Sequence, residues 1–86
     1  DQEFAVAYLA DAASADNLEG FLLAVRDVIE ARGGIGIFAK ENKSIHRVSL
    51  YKCLSEKGNP KYTTVVDILD SLGIGLKPYN KKKVRK

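Results

Sequence analysis

At 86 residues, with 45% apolar and 29% charged side chains, the chain is one domain of ordinary soluble composition. A core this small leaves a thin stability margin, which makes a homodimer a natural source of extra stability. The single cysteine, Cys53, excludes an internal disulfide and points to a reducing, cytoplasmic compartment, and no apolar run approaches the roughly 18 residues that span a bilayer.

The acidic start shows no basic, apolar signal-peptide pattern. Net charge is +3 but uneven. Residues 1–30 carry seven acids and one base (Arg26), residues 40–62 carry six bases and two acids, and residues 81–86 add five bases. An acidic end followed by a basic middle suggests two partners of opposite charge.

The first predicted helix covers 3–13, with Phe4, Tyr8, Leu9 and Ala12 on one face. The second covers 17–32. Asp16 is the expected N-cap, with Glu19 three residues on able to bond back to it. Its apolar stripe is Leu18, Phe21, Leu22, Val25, Val28 and Ile29, and Gly33-Gly34 ends it. A short third helix covers 35–42 with Ile35, Phe38 and Ala39 inward, and a fourth covers 46–55 with Leu50, Tyr51 and Leu54 as core contacts and Cys53 as a small filler. Gly58-Asn59-Pro60 is strong turn chemistry. The fifth helix covers 63–72, with Thr64 and Asp67 as a shortened capping box and Val65, Val66, Ile68, Leu69 and Leu72 inward. Gly73 ends it, Tyr62 is expected in the core, and Ile74-Gly75-Leu76 reads as an extended segment able to pair.

The stretch from Phe38 to Leu54 carries the functional expectation: a short helix, a tight polar turn and a basic second helix. Ile45 can staple onto Leu50 if His46 is the N-cap, setting the angle between the helices. Such an angle lets a second helix enter the DNA major groove. Arg47, Val48 and Ser49 then face bases, Arg47 as a bidentate donor to guanine and Val48 against a thymine methyl. Lys40, Lys43, Lys52, Lys57 and Lys61 suit phosphates, while His46 faces solvent or phosphate and Tyr51 either packs or donates to a phosphate. One histidine and one cysteine make no metal site. Neither a nucleophile–base pair nor a phosphate-binding glycine loop is evident, so no catalytic residues and no cofactors are expected.

At these residues the chain resembles the addiction-module antidote family, the HigA-like antitoxins of the Xre-type helix-turn-helix class. The resemblance rests on Ala7-Tyr8-Leu9, Ala31-Arg32-Gly33-Gly34, Leu50-Tyr51-Lys52, Leu54-Ser55, Gly58-Asn59-Pro60 and Leu72-Gly73-Ile74, in that order. The turn departs from the family pattern. Lys43-Ser44-Ile45-His46 is one residue longer and lacks the turn glycine, so either Ser44 or His46 caps the second helix and the register of Arg47, Val48 and Ser49 depends on which.

The resemblance implies an all-α, compact five-helix bundle of the lambda-repressor-like helix-turn-helix type. Residues 1–76 form its domain and 77–86 a basic tail. It also implies a type II antitoxin that neutralises a RelE-like toxin, binds operator DNA as a homodimer and represses its own operon. The alternatives are a stand-alone phage-type repressor and a helical protein-interaction module without DNA binding.

Overall fold

In the computed structural model, α1 (Gln2–Ser14) begins where the Asp1 carboxylate accepts the free amide of Glu3 at 3.0 Å. The structure describes residues 1–15, 17–45, 47–55 and 59–78, and for Arg47 the backbone alone. Among the described residues five helices follow one another: α1, α2 (Leu18–Ala31), α3 (Ile35–Glu41), α4 (Arg47–Cys53) and α5 (Tyr62–Ser71). No strand occurs among the described residues, so the fold is all-α as expected. Ile74-Gly75-Leu76 forms no ladder and runs as an irregular segment.

The inward face of α1 is Ala5 and Leu9, with Ala12 partly buried. Phe4 (69% exposed) and Tyr8 (39% exposed) lie outside, against expectation. The stripe 5–9–12 is rotated by one residue from the expected one, so small Ala5 meets the core and the two rings flank the α1–α2 seam. Their centroids are 6.2 Å apart and nearly parallel. The Tyr8 hydroxyl donates to Asp27 Oδ2 at 2.7 Å, and that bond, with the carboxylate's charge, raises the phenol pKa above its ordinary 10.0. The folded chain therefore holds this proton more tightly than the unfolded one. Its contribution is complete below about pH 10 and is lost as pH rises through the raised value. Tyr8→Phe should accordingly reduce the alkaline fall of the melting temperature, read by circular dichroism between about pH 9 and 11.

At the start of α2 the N-cap is Asn17, whose Oδ1 accepts from the Gly20 amide at 3.2 Å. The Asp16–Glu19 box is thus replaced by a cap one residue later, and Asp16 itself lies outside the described residues. Leu22, Ala24, Val25, Val28 and Ile29 are buried, Phe21 is half-buried, and Leu18 is exposed.

α2 and α5 end in the same way. Gly33 donates to Glu30 O (3.3 Å) and Gly34 to Ile29 O (3.0 Å); Gly73 donates to Asp70 O and Ile74 to Leu69 O, both at 2.9 Å. These are Schellman closures, which need a left-handed residue just past the helix, and Gly33 (φ 118°) and Gly73 (φ 77°) supply it.

α3 turns Ile35, Phe38 and Ala39 inward, as expected. α4 buries Leu50 and Cys53, and Leu54 follows just beyond its end. Tyr51 instead stands 47% exposed, because a helix this short buries one stripe and Tyr51 sits beside it. α5 buries Ile68 and Leu69, with Leu72 just past its last turn. It starts at Tyr62 with Lys61 at the cap and no side-chain capping bond, so Thr64 and Asp67 already lie within the helix and form no box. Tyr62, at the first position, is 71% exposed rather than in the core.

The single core draws on all five helices and adds Ile45 from the turn and Ile74 from the C-terminal segment. A polar clamp closes one end. Gln2 Nε2 donates to Leu72 O (3.0 Å) and Gly73 O (3.1 Å), Arg32 Nη1 donates to Leu72 O (3.1 Å), and Arg32 Nη2 donates to Gln2 Oε1. These donors satisfy carbonyls that the end of α5 leaves open. Arg32→Ala should lower the unfolding free energy by about 1 kcal/mol in urea titration, since Gln2 keeps one bond to Leu72 O.

No helix among the described residues is long and apolar enough to cross a membrane, and no group of three metal-ligating side chains occurs among them.

Candidate nucleic-acid interface

α3 and α4 are joined by a turn that closes on Asn42. The Asn42 amide donates to Phe38 O at 3.0 Å, its side-chain Nδ2 donates to the same oxygen at 2.8 Å, and the Ile45 amide donates to Asn42 O at 3.0 Å. Asn42 holds φ −122°, so the end of α3 is closed by a side-chain amide and without a glycine. Ile45 is buried and belongs to the same core cluster as the fully buried Leu50. The staple expected from the sequence depends on His46 as N-cap, and His46 lies outside the described residues. Behind α4, the Ser55 hydroxyl donates to Lys52 O at 2.9 Å and the Leu54 amide to Leu50 O at 3.1 Å, closing the helix.

With Leu50, Cys53 and Leu54 inward, Val48 (53% exposed), Ser49, Tyr51 and Lys52 face out. Lys40, in the last turn of α3, and Lys43, in the turn, are also exposed. Arg47 is the first residue of α4. His46 and Lys57 lie outside the described residues.

Part of this set converges. Ser49, Lys52 and Ser55 share a cleft of ≈ 540 Å³ with Asn59, Pro60, Lys61 and Thr64, and Cys53 forms part of its wall. Burial pushes the Cys53 thiol pKa up, so it stays protonated and inert at neutral pH. The uncapped start of α5 opens beside this cleft, and its first-turn amides at Tyr62, Thr63 and Thr64 lack an intrahelical acceptor. Two ammonium groups, hydroxyls and the positive end of a helix dipole together suit an anionic oxygen. Val48, Tyr51, Lys40 and Lys43 lie outside this cleft.

The sequence had marked Lys52 and Lys61 separately but missed that α4 and the start of α5 meet around them, with Asn59 and Thr64 between. No local pattern signals this meeting, because it depends on how two separate segments pack.

The family model described as "Probable addiction module antidote protein" matches residues 1–80. An uncharacterized protein of Haemophilus influenzae is 36% identical over 67 residues, covering 78% of this chain and 67% of that protein. No solved structure matches the chain.

Proposed function

Because the chain belongs to the addiction-module antidote family, we propose that it is the DNA-binding antitoxin of a type II toxin–antitoxin module, acting in the cytoplasm as a homodimer. It neutralises a partner toxin, RelE-like in type, and represses its own operon, and it does no catalysis. Residues 1–76 form the helix-turn-helix domain, and residues 77–86 a basic tail.

One observation carries the DNA-binding half. α4 keeps its anchoring side chains buried while Val48, Ser49 and Lys52 stand outward, and Lys61 lines the same cleft as Lys52. On this reading α4 is the recognition helix. Its first turn, Arg47, Val48 and Ser49, reads base edges. Lys52, Lys61, Lys40 and Lys43 hold phosphates, and Tyr51 and His46 add phosphate contacts.

The test is fluorescence-anisotropy titration on a duplex carrying the gene's own upstream region, with a scrambled duplex as control. Preference for the upstream duplex is expected, and equal weak binding to both would remove the repressor assignment. Lys52→Ala should weaken binding to both duplexes alike and lower the slope of log K against log salt by about 1.

A further inference from the structure

A small pocket of ≈ 250 Å³ opens on the seam between α1 and α2. The rings of Phe4 and Tyr8 form one side, stacked with centroids 6.2 Å apart and planes 12° from parallel. Asp27 of α2 lines the other, and buried Ala5 and Val28 complete the lining. Phe4 is 69% exposed, so intrachain packing uses little of its ring. Asp27 accepts from the Tyr8 hydroxyl through Oδ2 at 2.7 Å, which leaves Oδ1 without a partner among the described residues.

The other charged groups of the lining are occupied. The Asp1 carboxylate caps the Glu3 amide, and the Arg32 guanidinium is held by Leu72 O and Gln2 Oε1. The pocket therefore offers two aromatic faces and one carboxylate that no base in the described residues neutralises. An aromatic face attracts a cation placed over it, and a carboxylate beside the ring adds a counter-ion that accepts hydrogen bonds. A guanidinium meets both demands together, because it is flat enough to stack and its N–H fork matches a carboxylate. An ammonium is more strongly hydrated and has no plane to stack. Nucleic acid is the wrong charge, since a phosphate here would meet Asp27. A second copy is a poorer occupant. A two-fold contact would set the seam against itself, and α1 and α2 expose Glu3, Asp11, Glu19, Asp27 and Glu30 against Arg26.

We infer that this pocket receives an arginine side chain of the partner toxin, stacked on Phe4 and Tyr8 and paired with Asp27. The inference rests on the antitoxin reading and adds a contact point to it. None of the lining residues belongs to α3 or α4, so an occupied pocket leaves the outward side of α4 open to DNA.

The experiment co-expresses the full chain with the product of the adjacent reading frame and measures the complex by isothermal titration calorimetry. The variants are F4A, D27N and, as a control, D11N, at an exposed acid of α1 outside the lining. Circular dichroism establishes that each is folded. F4A should raise Kd by about 5- to 10-fold and D27N by about 10-fold or more, while D11N stays within about 2-fold. In double-mutant cycles one arginine of the partner should lose about 5-fold of its effect in the D27N background. If the wild-type complex forms and neither F4A nor D27N weakens it, or no partner arginine couples to D27N, the pocket assignment falls and the antitoxin reading stands. If D11N weakens the complex as much as D27N, diffuse charge accounts for the effect and the pocket assignment falls. If F4A and D27N abolish self-association of the free chain and leave the complex intact, the occupant is a second copy and the inference is wrong. If the wild-type chain forms no complex, the antitoxin reading falls and the pocket assignment with it.

Discussion

Leu50→Ala is expected to lower the unfolding free energy by about 3 kcal/mol, within the range for deleting a fully buried leucine. Leu50 has 0% exposure and sits at the middle of α4, a helix of seven residues. A helix that short does not persist in water on its own intrinsic preference and exists only while its inward stripe is packed. That stripe here is Leu50, Cys53 and Leu54, all three in the core cluster with Ile45 from the turn, and Leu50 is the most fully buried of them. Truncation leaves a cavity and removes the central anchor of the helix, so both the helix and its tilt lose support. A domain of this size holds roughly 4–13 kcal/mol in total, so the loss is a large fraction of it. Urea denaturation should show a lower midpoint. Hydrogen exchange should show α4 opening before α2. Val48→Ala, on the outward side of the same helix, should stay within about 0.5 kcal/mol of wild type. Equal small effects at Leu50 and Val48 would contradict this packing of α4.

Arg47→Ala is expected to weaken binding to the upstream duplex by about 10- to 100-fold, corresponding to about 1–3 kcal/mol for loss of a bidentate guanine contact. The expectation follows from the position of Arg47 as the opening residue of α4, the turn of a recognition helix that reaches base edges. Binding to the scrambled duplex should change little, because a base contact contributes chiefly where the matching base is present. Lys52→Ala makes the useful contrast, with uniform weakening and a changed salt slope. If Arg47→Ala behaves like Lys52→Ala, Arg47 holds a phosphate and base reading starts elsewhere on α4. If Arg47→Ala has no effect on either duplex, α4 is not the recognition helix.

Much of the architecture was legible in the order of residues. Helix number and type followed from apolar spacing, and the stops at Gly33 and Gly73 followed from the need for a left-handed residue that a side chain disfavours. The inward set of α3 and the burial of Leu50, Cys53 and Leu54 were also readable, since a short amphipathic helix has one stripe to bury. The outward placement of Lys40, Lys43, Lys52 and Lys61 was readable too, because ammonium groups remain in water.

What tertiary structure alone decided was which aromatic and apolar residues stay outside, and which distant segments meet. Phe4, Tyr8, Leu18, Tyr51 and Tyr62 all fit an inward pattern by type, yet each is exposed. Periodicity locates a stripe only to within about one residue in a helix of 3.6 residues per turn, and the neighbour's shape chooses between adjacent stripes. At α1 the neighbour selected Ala5, and the rings of Phe4 and Tyr8 moved to the flank. The Gln2–Arg32–Leu72 clamp and the cleft joining Lys52 to Lys61 join residues from different segments, and no local pattern encodes them. Local sequence sets where a helix can begin and end, while the direction it faces depends on the space its neighbours leave.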